Sequence, residues 1–106
     1  MTKTVWVIDD DDSIRWVLDK ALGQAGIPIK AFNSADEAMH LLANELPLTV
    51  LSDIRMPGLS GLDFLQKIQS EFPQIPVIIM TAHSDLDSAV NSFELGAYEY
   101  LAKPFD

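Results

Sequence analysis

The 106-residue chain predicts an α/β fold built on a doubly wound, five-stranded parallel sheet. Short apolar runs of strand length alternate along it with stripes of apolar residues at helical spacing. The connections are short and marked by turn residues. The strand runs are apolar on consecutive positions, as expected for strands that helices cover on both faces. We therefore expect one domain over residues 1–106, without a linker.

The first β-α unit begins with the apolar run from Val5 to Ile8. A stripe of apolar residues from Ile14 to Ala25 follows at helical spacing. Asp12 or Ser13 can cap this helix, and Gly26 can end it.

The next two strands flank a helix with a clear start signal. Residues 27–32 form the second predicted strand, and residues 34–37 match a capping box. The third strand ends at Asp53, because the following residues 56–58 (Met-Pro-Gly) cannot continue it.

The remaining elements repeat the alternation. Ser60 can cap a third helix, and residues 77–80 form a fourth buried strand. A fourth helical stripe spans residues 86–93 and can end at Gly96. Residues 98–102 form a weaker fifth strand.

Composition argues against several classes of protein. With 16 acidic and 7 basic residues the net charge is −9, which disfavours direct binding to nucleic acid. We expect no membrane segment, because no apolar run approaches the ~18 residues that a spanning helix needs, and no signal peptide. The chain contains no cysteine, which fits a cytoplasmic location.

Polar residues follow the carboxyl ends of four predicted strands. If the sheet order is 2-1-3-4-5, the first and third strands are neighbours at the point where open α/β sheets bind ligands. Three carboxylates then converge, and a hard divalent cation such as Mg²⁺ would offset their repulsion. A hydroxyl and an ammonium complete a set that can hold a phosphoryl group on a carboxylate. The members are Asp9, Asp10, Asp53, Thr81 and Lys103.

Each of these residues also has a commoner structural explanation. Aspartates before a helix cap it and favour its dipole, a lone lysine is usually solvated, and a strand-end threonine can bond its own loop. Five suitable groups at four strand ends are nevertheless hard to ascribe to chance. His40 and His83 show no spacing that makes them a metal pair; we expect His40 to be solvated and His83 to border the site.

The combination of motifs resembles a response-regulator receiver domain, whose fold is flavodoxin-like. The resemblance covers the whole chain. Several stretches resemble the nitrogen regulatory protein C type, an enhancer-binding activator of sigma-54 promoters. The motifs are Val7-Ile8-Asp9-Asp10, Asp53 with Met56-Pro57-Gly58, Met80-Thr81-Ala82 and Lys103-Pro104-Phe105.

The resemblance implies a role for each site residue. Asp53 is the phosphoacceptor. Asp10 and Asp53 bind Mg²⁺ directly, and Asp9 binds it through a water molecule. The backbone carbonyl of Arg55 completes the set of protein ligands around the ion. Thr81 and Lys103 contact the phosphoryl group, and Thr81 with Tyr100 forms the switch. Arg55 and His83 lie two residues past Asp53 and Thr81, so we expect them to control water access and the phosphoryl lifetime.

The expected function is that of a signalling switch rather than an enzyme, with at most slow self-dephosphorylation. A sensor histidine kinase donates the phosphoryl group. Output domains outside these residues then control transcription as part of nitrogen regulation. Two alternatives remain open. A phosphohydrolase with Asp53 as nucleophile would place a second aspartate at Arg55. A flavin carrier would need a small-residue phosphate loop where four aspartates stand.

The predicted topology leaves one face of the sheet poorly covered. Right-handed crossovers put the first helix alone on one face and the next three on the other. The family's fold closes with a fifth helix after the Lys-Pro motif, and this chain stops at Asp106. We therefore expect the last helix to be missing from this chain, and expect the chain to gain stability when extended and to self-associate, as in a homodimer.

Overall fold

A computed structural model describes residues 4–82, 90 and 94–103, with the side chains of residues 82 and 103 outside the description. The strands are β1 (Val5–Ile8), β2 (Ile29–Phe32), β3 (Thr49–Asp53), β4 (Val77–Ala82) and β5 (Glu99–Lys103). The helices described are α1 (Asp12–Gln24), α2 (Ala35–Leu41) and α3 (Gly61–Glu71). All neighbouring strands pair in parallel, in the order β2-β1-β3-β4-β5. The predicted α/β class and strand order are confirmed.

The start of α1 differs from the prediction by one residue. Asp11, rather than Asp12 or Ser13, is the N-cap: its backbone is extended and its carboxylate accepts a hydrogen bond from the Ser13 amide. Four consecutive aspartates offer several candidate caps. The structure selects Asp11 because Ser13 also donates its hydroxyl to the same oxygen, at 2.6 Å.

The end of α1 explains why β2 begins later than predicted. Gly26 has a φ of 78°, and its amide donates to the Gly23 carbonyl. The Ile27 amide donates to the Leu22 carbonyl at 2.9 Å, which completes a Schellman motif. Ile27 therefore belongs to the helix end, and the strand starts at Ile29.

The other two helices begin where the sequence predicts. Ser34 caps α2 by accepting from the Glu37 amide, and Ser60 caps α3 by accepting from the Asp63 amide. The fifth strand is shifted by one residue towards the carboxyl end, since it starts at Glu99.

The two faces of the sheet carry separate apolar cores. Side chains alternate along each strand, so Trp6 and Ile8 face α2 and α3 whereas Val5 and Val7 face α1. On the α2/α3 face, the Trp6 and Phe32 rings pack with centroids 5.0 Å apart. The α1 face has a smaller core. The predicted placement of the first helix on the opposite face from the second and third is confirmed.

The fourth predicted helix lies mostly outside the described residues. Gly96, its predicted end, has a φ of 104°. Within the part of the chain that the structure describes, no helix combines the length and apolar character needed to cross a bilayer.

Candidate functional site

The candidate site lies along the carboxyl edge of four neighbouring strands. Asp9 directly follows β1, and Asp53 is the last residue of β3, the adjacent strand. Thr81 lies near the end of β4 and pairs with Ala102 of β5, and Lys103 ends β5 in register with Ala82. Parallel pairing brings these ends to one edge, with about 4.8 Å between adjacent strands.

Three carboxylates converge there. One oxygen from each of Asp9, Asp10 and Asp53 lies within 4.8 Å of the others. Asp9 is buried, Asp53 is half-buried and Asp10 is exposed, so the cluster opens to solvent on the side of Asp10. Three hard oxygen donors at this separation, open to water on one side, fit the demands of Mg²⁺, which keeps several waters.

The loop from β1 to α1 gives its four aspartates different contacts. The Asp9 carboxylate accepts from the Asp11 amide at 2.9 Å. Asp11 caps α1, and Asp12 forms an ion pair with Arg15. Nη2 of Arg15 makes this ion pair, and Nη1 of the same guanidinium donates to the main-chain carbonyl of Asp9 at 2.5 Å. Capping accounts for Asp11 and ion pairing for Asp12, while Asp9 and Asp10 direct carboxylate oxygens to the cluster.

The main chain at Asp53 is held from two sides. The buried Ser52 donates its hydroxyl to the Asp53 carbonyl at 3.0 Å. Gly61, the first residue of α3, packs so closely that a Cβ atom there would overlap this carbonyl oxygen. The Gly61 amide donates to the Ile54 carbonyl at 2.8 Å. The start of α3 therefore fixes the position of Asp53.

A contact from α2 holds the middle of the loop between β3 and α3. The Asp36 carboxylate accepts from the Leu59 amide at 3.3 Å. Gly58 has a φ of 79°, and a Cβ atom there would stand 2.7 Å from the same carboxylate oxygen. This loop carries Arg55, whose side chain is exposed.

The structure shows the remaining predicted residues to different extents. Thr81 is 3% exposed. Tyr100 is half-buried, pairs with Ile79 in the sheet and packs on the α2/α3-side core. His40 is exposed on α2, as predicted. The Lys103 side chain and the whole of His83 lie outside the described residues.

Sequence reasoning overlooked three residues that shape the site: Arg15, Ser52 and Gly61. Arg15 stands three residues after Asp12, a spacing that places both on one face of a helix. Gly61 opens α3 although glycine is a poor helix former, which signals a close backbone approach. Ser52 carries no such signal, because a serine inside a buried strand has many uses.

Comparison with known proteins gives concordant matches. The model of the family described as "Response regulator receiver domain" matches residues 5–106. The DNA-binding transcriptional regulator NtrC of Salmonella typhimurium is 55% identical over 102 residues, 96% of this chain and 22% of that protein. The chain thus spans about a fifth of the length of this relative.

Two solved structures illustrate the similarity of fold. The receiver domain of NtrX from Brucella abortus superposes with a TM-score of 0.91 at 31% identity, covering 96% of this chain and 87% of that one. The apo receiver domain of nitrogen regulatory protein C in solution gives 0.87 at 54% identity, covering 98% and 84%.

Proposed function

The chain belongs to the response regulator receiver domain family, and from this premise we propose that it is a switch phosphorylated on Asp53. The observation that carries the proposal is the convergence of Asp53 with Asp9 and Asp10 at the edge of the sheet. A receiver domain is the signalling component of a two-component system, so the reaction belongs to a switch and not to a metabolic enzyme.

The proposed chemistry starts at the half-buried carboxylate of Asp53. One of its oxygens attacks the phosphorus of a phosphohistidine on a sensor kinase. A phosphorus–oxygen bond forms, the phosphorus–nitrogen bond breaks, and its electron pair returns to the imidazole. The product is an acyl phosphate. Ser52 and Gly61 hold the Asp53 main chain, so the nucleophile is already placed before the donor arrives.

Asp10, Asp53 and the carbonyl of Arg55 would hold Mg²⁺ directly, with Asp9 acting through water. When bound, this ion supplies charge stabilisation for the transferring phosphoryl group. The carboxylates of Asp9 and Asp10 lie on the side of Asp53 towards β1, whereas Thr81 lies on the side towards β4.

Thr81 and Lys103 would hold the phosphoryl oxygens from the β4–β5 side. Their strands are adjacent and in register near their ends, which supports their acting together. Tyr100 sits on β5 beside Ile79 of β4, so a change at Thr81 has a short path to this ring. We propose that Thr81 and Tyr100 form the switch, with two arrangements whose balance the acyl phosphate alters.

The partners follow from the family and its relatives. We propose a sensor histidine kinase as donor and output domains outside these residues as receivers of the signal. Similarity to the DNA-binding transcriptional regulator NtrC supports output domains that control transcription. From the motifs of the sequence we further propose a role in nitrogen regulation at sigma-54 promoters and a cytoplasmic location. A net charge of −9 supports leaving DNA contact to other domains.

Intact mass spectrometry tests the proposal directly. Incubation with acetyl phosphate and Mg²⁺ is expected to add one phosphoryl group, and Asp53→Asn is expected to abolish the adduct. Flavin absorbance of the purified protein would instead favour a flavin carrier. An adduct of equal yield in Asp53→Asn would contradict the assignment.

Magnesium binding separates the roles of the aspartates. We expect Asp10→Ala to weaken Mg²⁺ binding more than Asp11→Ala, because Asp11 caps α1 while Asp10 points an oxygen into the cluster. Calorimetric titration of both variants measures this. A larger loss in Asp11→Ala would overturn the division of roles.

Arg55 and His83 are proposed to tune the phosphoryl lifetime and the slow self-dephosphorylation, without being needed for phosphorylation. The exposed side chain of Arg55, two residues past Asp53, supports this for one of the pair. The decay of the adduct should change in Arg55→Ala or His83→Ala. Unchanged decay in both variants refutes the role.

A further inference from the structure

A cationic side chain from α1 folds back onto the acidic loop. Arg15 contacts two groups there: its Nη1 donates to the Asp9 carbonyl at 2.5 Å, and its Nη2 pairs with the Asp12 carboxylate. The Arg15 side chain is only 19% exposed, whereas that of Asp12 is 91% exposed. The guanidinium therefore lies against the loop instead of extending into solvent with its partner.

This contact limits how the residues next to it can move. Asp9 is fully buried, its carbonyl is held by Arg15, and its carboxylate accepts from the Asp11 amide. Asp11 is in turn held by Ser13, whose amide and hydroxyl both donate to it. Asp10 lies between two anchored neighbours, so the direction of its exposed carboxylate depends on both anchors.

Two effects of Arg15 on a bound cation have opposite signs. Its positive charge near three carboxylates repels a cation, although the pair with Asp12 offsets part of that charge. Its hydrogen bond to Asp9 holds the ligands in place and favours the cation. Groups behind the ligands that orient them typically change metal affinity by about 10–100-fold.

We propose that Arg15 is a positioning residue of the Mg²⁺ site, and that ordering of the loop outweighs its charge repulsion. The inference rests on the proposed metal site and adds to it a residue that touches neither the ion nor the phosphoryl group. It also explains why a cation stands in the first turn of α1, where the helix dipole favours anions.

Calorimetric titration of Mg²⁺ into the 106-residue protein tests the proposal. Arg15→Met should bind about tenfold more weakly than the wild type. Arg15→Lys keeps the charge but cannot reproduce the planar two-point contact, so it should also bind more weakly. Unchanged or tighter binding in Arg15→Met would overturn the proposal, because loss of charge alone strengthens cation binding.

Asp12→Asn is the matched control. It removes the ion pair but leaves the Arg15 contact with Asp9, so its loss of affinity should be clearly smaller than that of Arg15→Met. An equal loss would mean that the ion pair, and not the bond to Asp9, is responsible. Thermal melting of each variant ensures that binding is measured on folded protein; if Arg15→Met does not fold, Arg15→Lys carries the test.

Titration of Ca²⁺ distinguishes positioning from general stability. Mg²⁺ demands near-octahedral geometry, whereas Ca²⁺ accepts irregular ligand sets. Arg15→Met should therefore lose more affinity for Mg²⁺ than for Ca²⁺, and equal losses would count against positioning. If the wild type itself did not bind Mg²⁺, the proposed metal site would fail and this inference with it. If the wild type binds Mg²⁺ and Arg15→Met binds it equally well, the metal site stands and only the positioning role of Arg15 is rejected.

Discussion

Both faces of the sheet carry apolar side chains, but these side chains are buried to different extents on the two faces. On the α2/α3 face, side chains such as Trp6, Phe64 and Ile79 are fully buried. On the α1 face, Val7 and Met80 are fully buried, but Ile78 is half-buried. A groove of about 610 Å³ lies beside α1, lined mainly by apolar side chains. Among the described residues, strands that are apolar on both faces are therefore buried more fully on the α2/α3 face than on the α1 face.

Helices from both faces of the sheet hold the candidate site. Gly61 and Asp36 belong to the helices of that face, and both contact the chain just after β3. The α1 face contributes through the N-terminus of its helix, where Asp11, Asp12 and Arg15 order the loop. Each face can therefore be perturbed separately.

The largest expected contrast comes from adjacent isoleucines of β4. Ile79 is fully buried on the α2/α3 face, and Ile78 is half-buried on the α1 face. Ile79→Ala should lower the free energy of unfolding by about 2–5 kcal/mol. Ile78→Ala should lower the free energy of unfolding by roughly 1–2 kcal/mol, because folding removes less of the Ile78 side chain from water. Urea denaturation at low protein concentration measures both, and equal losses would mean that the α1 face is covered in solution.

Two helical glycines sharpen the comparison. A Cβ atom at Gly61 would overlap the Asp53 carbonyl and stand 2.9 Å from Ile54 Cα, whereas one at Gly23 meets nothing within 4 Å. Gly61→Ala should cost roughly 1–3 kcal/mol and reduce the yield of the Asp53 adduct.

Gly23→Ala is the control for helix propensity. It should raise the free energy of unfolding by about 0.5–1 kcal/mol and leave the adduct unchanged. Thermal melting and intact mass would check both variants. A stabilised Gly61→Ala with full adduct yield would show that the close approach is unimportant.

A helix added after Asp106 should cover the apolar groove beside α1. A version extended by about 15 residues would gain a helix of ~22 Å. We expect it to melt several degrees higher, since each kcal/mol of added stability raises the melting temperature by about 4–8 °C. It should also self-associate less than the 106-residue chain in analytical ultracentrifugation. Equal melting temperatures, with both forms monomeric at high concentration, would mean that the groove is too small to matter.

The smallest effect is expected at the rim of the groove. Leu101 lines it and is 38% exposed. Leu101→Gln should change the free energy of unfolding by no more than about 0.5 kcal/mol but weaken self-association of the 106-residue chain. Sedimentation at matched concentrations measures it, and unchanged association would place the contact elsewhere.

The sequence alone determined the elements and the edge at which the site forms. Apolar runs, the caps Ser34 and Ser60, and the turn at Gly26 are local signals, because backbone hydrogen bonding and side-chain period act over a few residues. Parallel pairing then brings the ends of neighbouring strands to one edge, which is why the residue pattern by itself groups Asp9 and Asp10 with Asp53.

Only the tertiary structure decided how those residues are held. The sequence pointed to Asp12 or Ser13 as the cap of α1, whereas in the structure Asp11 accepts from the amide and the hydroxyl of Ser13. The hydrogen bond from Arg15 to the Asp9 carbonyl was likewise not predicted. The closeness of Gly61 to Asp53 depends on how α3 docks on the sheet. The Asp9 partner of Arg15 and the Asp53 partner of Gly61 lie outside the helices that carry Arg15 and Gly61. Helical spacing therefore cannot identify these partners, even where the residue itself carries a signal in the sequence.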